Sequence, residues 1–126
     1  MTEENGKPQA LDERTFLLAQ NVRQFVKILP RSLSNDEDIS QIVRSSGFVA
    51  ANYIEANEAL SKKDFFMRMK ICRKEAKESR LWLRLLDCGN RDDLEKTRVV
   101  LIQEARELML IFNAIIAKGE QHKRSF

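Results

Sequence analysis

Four carboxylates near the middle of the chain stand where acid–base chemistry could be done: Glu55 with Glu58, and Glu75 with Glu78, each pair three residues apart on one helix face. Paired carboxylates act as acid and base when burial drives their proton affinities apart. Here Lys62 follows Glu58 by four residues and Lys74 precedes Glu78 by four, so a surface partner is already available to each pair. The structural alternative is that Glu55 and Glu75 hydrogen-bond across a helical bundle to Arg44 and Asn52 and fix its register.

Other reactive residues are few. The single histidine, His122, falls in a polar C-terminal stretch where a ligand or base would lack a rigid supporting shell. A di-iron bundle of the Glu-x-x-His kind needs inward histidines on two helices, and the sequence has none to offer. Cys72 and Cys88 lie sixteen residues apart without companion ligands, which argues against zinc. Phosphate-binding loops, nucleophile elbows and dinucleotide glycine patterns are missing. The reading is therefore no catalytic residue, no metal and no cofactor. Ser61-Lys62-Lys63-Asp64, chemically suggestive at first sight, reads as a helix start, with Ser61 the N-cap and Asp64 the acidic half of a capping box.

The basic residues say more. Nine Lys or Arg fall between Lys62 and Arg84 against three acids, Asp64, Glu75 and Glu78. Five of them, Lys70, Arg73, Lys77, Arg80 and Arg84, repeat at steps of three and four, each one position after a core residue. On a helix they form a stripe beside the buried seam, suited to the phosphates of structured RNA or DNA. Two other readings stand beside it: a solvated face balanced by acids on neighbouring helices, and a protein-binding surface. The aromatics mostly fit the core, so backbone contact is easier to defend than base reading. A basic helix can also lie on a membrane, but the apolar side of this one is committed to packing, so no membrane partner is expected.

The elements that position these residues follow from apolar spacing. Leu11, Thr15, Leu18, Val22, Phe25 and Leu29 define a first helix, with Asp12 as cap and Pro30 as terminator. Ser34, Asn35 or Asp36 caps a second, whose inward and flanking positions hold Ile39, Ile42, Val43, Ser46, Val49, Ala50, Tyr53, Ile54 and Ala56. Gly47 in its middle calls for a close neighbour or a local irregularity. The third carries Phe65, Met69, Cys72, Ala76, Ser79, Leu83 and Leu86 and stops near Gly89. Asn90 or Asp92 caps the fourth, which holds Leu94, Leu101, Ala105, Leu108, Phe112 and Ile115, has a second row at Ile102, Met109 and Ile116, and ends at Gly119.

This spacing predicts an all-α, antiparallel up-down-up-down four-helix bundle. A flexible leader over 1–10, a bundle over 11–119 and a polar tail over 120–126 make one domain in 126 residues. The second apolar rows suggest a closed homo-oligomer. A net charge of +3, two cysteines and no apolar run of membrane length indicate a cytoplasmic chain.

From Arg44 to Leu86, RSSGFVAANYIEANEALSKKDFFMRMKICRKEAKESRLWLRLL resembles the central signature of the four-helix proteins encoded in intervening sequences of bacterial 23S ribosomal RNA genes, historically labelled as ribosomal. The resemblance rests on Arg44-Ser45, Ala51-Asn52, Glu55-Ala56, Ser61 to Phe65, Lys74-Glu75-Ala76, Glu78 and Trp82-Leu83 at fixed spacing, and extends to Leu29-Pro30 and EARELMLIFNAII. It implies a cytoplasmic bacterial bundle, commonly a ring-like homopentamer, with no established enzymatic activity. The family is also similar to the accessory protein of diversity-generating retroelements, a pentamer that engages a reverse transcriptase and nucleic acid through basic surfaces. Arg44, Asn52, Glu55, Asp64, Glu75 and Trp82 are accordingly read as fold-specifying signature residues. Relatives tend to carry Ser-Ile where this chain has Phe48-Val49, so packing or subunit contact at Phe48 is expected to differ.

Overall fold

The computed structural model describes residues 3–4, 7–8 and 10–124, with side chains for 10–121. His122 and the expectations attached to it lie outside the described side chains. In the polar leader two short strands, β1 (Glu3–Glu4) and β2 (Lys7–Pro8), pair antiparallel, Glu3 opposite Pro8 and Glu4 opposite Lys7.

Four helices follow: α1 (Leu11–Val26), α2 (Leu33–Asn57), α3 (Lys62–Leu85) and α4 (Asp92–Arg124). Each packs on its sequence neighbour and α1 closes on α4, giving the up-down-up-down bundle, with α1 and α4 meeting least. The core is continuous: Leu18, Val22 and Phe25 from α1, Ile42 and Val49 from α2, Met69, Cys72, Ala76 and Leu83 from α3, and Leu94, Leu101, Ala105, Leu108, Phe112 and Ile116 from α4. Each large apolar side chain buried there contributes about 1.5–3 kcal/mol.

Helix starts differ in how openly the sequence declares them. Ser61 caps α3 as its position demands, accepting from the backbone N–H of Asp64 at 3.1 Å. On α2 the cap is Ser32, which accepts from the N–H of Asn35; Ser34, Asn35 and Asp36, the expected candidates, are already inside the helix. Asp12 does not cap α1, whose N-cap is Ala10 with no side-chain bond; Asp12 sits in the first turn. Likewise Asp92 is the first residue of α4, and the turn before it carries Gly89 and Asn90 at φ 64° and 62°. Gly89 also lies against Pro30, with 3.1 Å between its would-be Cβ and the ring.

Freed from the cap, Asn35 does something else. Its side chain is buried, donates to the carbonyls of Pro30 and Asp87, both at 2.8 Å, and accepts from the N–H of Asp87 at 2.9 Å. One amide thus joins the α1–α2 loop to the α3–α4 loop.

The fourth helix corrects an expectation. It runs through Gly119 to Arg124, 33 residues or about 50 Å of axis. A Cβ at Gly119 would collide with the ring of Phe66, so the glycine admits an aromatic from α3 against the helix backbone and does not stop the helix. Gly47 has the close neighbour it required: the Arg23 guanidinium, which donates to the carbonyl of Val43 at 3.3 Å.

Candidate functional site

The buried seam of α3, Met69, Cys72, Ala76, Ser79 and Leu83, divides its polar residues into two rows. Residues one position before the seam turn toward α2: Arg68 donates to Asn52 Oδ1 at 3.2 Å, and Glu75 and Glu78 share a cleft with α2. Residues one position after it turn toward α4, as the Arg73 bond to Asn113 Oδ1 at 2.8 Å establishes. Lys70, Lys77 and Arg84 are exposed, whereas Arg73 and Arg80 are half-buried. Arg80 Nε is fully shielded without an acceptor, as is Trp82 Nε1 on the other row.

This basic row extends about 21 Å from Lys70 to Arg84 at 1.5 Å per residue. Among the described residues none of its five cations pairs with a carboxylate, while Arg14, Arg31, Arg91 and Arg98 all do. Unneutralised like charges at helical spacing repel one another, and a polyanion alongside relieves that repulsion. At the end of the row Arg98, held by Glu95, donates to the carbonyl of Arg84 at 2.9 Å and so satisfies part of the α3 C-terminus.

The second row forms a cleft of about 140 Å³, lined by Gln41, Arg44, Ser45 and Phe48 of α2 and Lys74, Glu75 and Glu78 of α3. The network expected here is not formed. Asn52 is engaged by Arg68 and by the Phe48 carbonyl, and Arg44 is turned over the Phe48 ring, 5.4 Å from its centroid. Glu55 is exposed and without a hydrogen bond among the described residues, and Lys74 approaches Glu75 at 3.6 Å in place of the Glu78 expected from spacing. The reason is competition: Arg44 has an aromatic face one turn ahead on its own helix, and Arg68 takes the Asn52 amide oxygen. Asp64 stands at the third position of α3, where its N–H serves the Ser61 cap.

Neither thiol offers a nucleophile. Burial pushes Cys72 up to about 12, and Cys88 is raised as well, by burial first and then by Glu95. Among the described residues no group of three or more His, Cys, Asp or Glu could hold a metal ion. A second cavity of about 290 Å³ between α1 and α4 is mostly apolar, walled by Phe25, Ile28, Val100 and Leu101.

The sequence model of the 23S rRNA-intervening sequence protein family matches residues 11–114, from the first residue of α1 well into α4. The chain belongs to this family. Its fold is similar to a crystal structure from Bacteroides thetaiotaomicron described as a protein with unknown function from the S23 ribosomal protein family, with TM-score 0.69 and 25% identity over 85% of this chain and 98% of that one. No curated protein matches the chain.

For this member of the intervening-sequence family, two polar residues that organise the fold escaped the sequence reading. One is Asn35. The other is Arg14, only 7% exposed, which donates to Glu104 through Nε and Nη2 and to Glu107 at 3.2 Å, closing α1 on α4. Neither role is legible locally, since Asp87 lies 52 residues beyond Asn35, and Glu104 and Glu107 lie 90 and 93 beyond Arg14.

Proposed function

We propose that the chain is a non-enzymatic, homo-oligomeric, cytoplasmic scaffold that contacts the phosphates of structured RNA or DNA through Lys70, Arg73, Lys77, Arg80 and Arg84. One observation carries the reading: the row lacks carboxylate partners among the described residues although acids are plentiful elsewhere on the surface. The half-buried positions refine it. Lys70, Lys77 and Arg84 are free to reach a ligand, while Arg73, tied to Asn113, and Arg80 stiffen the row. No described helix is long and apolar enough to cross a membrane.

Phe16 on α1, Ile28 just past its end, and Val99 and Val100 on α4, all apolar and exposed, support assembly with further copies, a pentamer by likeness to the family. They also favour a second reading, a scaffold for a partner enzyme such as a reverse transcriptase, which rests on the sequence resemblance alone. The deciding test is a salt series on structured RNA and duplex DNA, with Lys70, Lys77 and Arg84 changed together to Gln. Phosphate contact predicts that affinity falls with salt and that the variant, still folded, loses about three units of the log–log salt slope. Binding that ignores the three changes, or no binding at low salt, leaves the protein-scaffold reading.

A further inference from the structure

The cleft between α2 and α3 is independent of the basic row and has its own unmet chemistry. Glu75 is only 8% exposed, yet its carboxylate accepts no hydrogen bond among the described residues; its nearest cation is Lys74 Nζ at 3.6 Å, from an exposed neighbour on the same helix. The Glu75 oxygens are not among the fully shielded atoms without a partner, so they stay open to the cleft and able to accept from a ligand there. Glu78, one turn further, lines the same cleft without an ion pair among the described residues. Facing them, Arg44 has an aromatic ring beneath it, and neither it nor the Gln41 amide makes a hydrogen bond among the described residues.

The four charges balance, two cationic and two anionic, and this selects the ligand. A bare anion is repelled by the two carboxylates, and a bare cation or metal ion by Arg44 and Lys74. A molecule bearing both charges satisfies both sides. The volume, about 140 Å³, exceeds a single water, which takes about 30 Å³ in the liquid, and suits a ligand of few heavy atoms. We propose that the α2–α3 cleft binds a small zwitterion of the α-amino-acid class, its ammonium on Glu75 and Glu78 and its carboxylate on Arg44, with Phe48 as an apolar rim.

The test uses the full chain, isothermal calorimetry and amide chemical shifts, with glycine, L-alanine and L-serine as probes and propionate and ethylamine as single-charge controls. The expected result is saturable binding of at least one amino acid that moves amides within residues 41–48 and 74–78. Either control binds at least about tenfold more weakly, since each lacks one charge-assisted contact. Glu75→Gln and Arg44→Gln weaken binding by a similar factor while melting as folded proteins, and Lys96→Gln on α4 leaves it unchanged. The proposal is overturned if no amino acid perturbs the cleft amides, if propionate or ethylamine binds as well as alanine, or if both cleft variants bind like the parent. Its failure would leave the salt series on the basic row untouched.

Discussion

A methyl group added at Gly119 would run into the ring of Phe66, whereas one added at Gly47 would meet only the far end of the Arg23 side chain, 3.2 Å away. Gly→Ala inside a helix ordinarily gains about 0.5–1 kcal/mol. At Gly47 the guanidinium can yield by a few tenths of an ångström, so Gly47→Ala should raise the melting midpoint. At Gly119 the ring is wedged between helices, and overpacking of this kind costs about 1–3 kcal/mol, so Gly119→Ala should lower it. Denaturant titration of the two variants checks the opposite signs. The comparison also marks a limit of sequence reading. Both glycines were visible, but a glycine after a periodic run looks like a stop, and the aromatic that explains Gly119 lies far back in the chain. The cleft residues divide in the same way. The spacing of Glu75 and Glu78 is legible, while the rotation of Arg44 onto Phe48 is set by side-chain packing.

At the scale of elements, the helices and their inward faces could be read from spacing because a period near 3.6 is a property of each segment alone. Capping was legible where one candidate stood before the run, as at Ser61, and illegible at Ser32, where several polar residues competed. What binds one helix to a distant one was not legible, and the junction of α1 with α4 is the clearest case. It rests on Arg14 between Glu104 and Glu107, with Gln103 donating to Glu107 at 3.1 Å. Arg14→Met should cost about 2–3 kcal/mol, less than the roughly 3–5 kcal/mol of a fully buried pair, because both glutamates keep part of their water. Adding Glu104→Gln should recover part of that loss. The pH dependence has a definite sign. The Gln103 amide, with Arg14 adding to it, holds the Glu107 carboxyl below its ordinary 4.5. Its contribution is therefore complete above that value and disappears as pH falls through the lower folded value. Melting curves of the parent and Arg14→Met should therefore draw together only as pH falls below 4.5.

For the whole molecule, the surface carries two kinds of unfinished business on different sides. The basic row runs along α3 toward α4, and the apolar residues Ile28, Val99 and Val100 crowd the thin junction of α1 with α4, beside its cavity of about 290 Å³. Assembly through that junction would cover the apolar group and repeat the basic row around the particle. Light scattering should then give a multiple of 14.7 kDa, five times that value for a pentamer. Ile28→Glu with Val100→Glu should reduce the mass toward that of one chain while the helical content survives. A parent that sediments as a monomer at every concentration would remove the oligomeric part of the proposal.

The two buried thiols give this bundle an internal clock. Both are buried and should be silent toward labelling reagents in the native state, Cys72 deep on the α3 seam and Cys88 in the connection ahead of α4. Each becomes reactive only when its own surroundings open. Cys88 should label at the rate at which one end of the bundle frays, and Cys72 at the slower rate of wholesale unfolding. The ratio of the two rates, followed by mass spectrometry in the single-cysteine variants, would measure how much more often the loop end opens than the middle of the bundle.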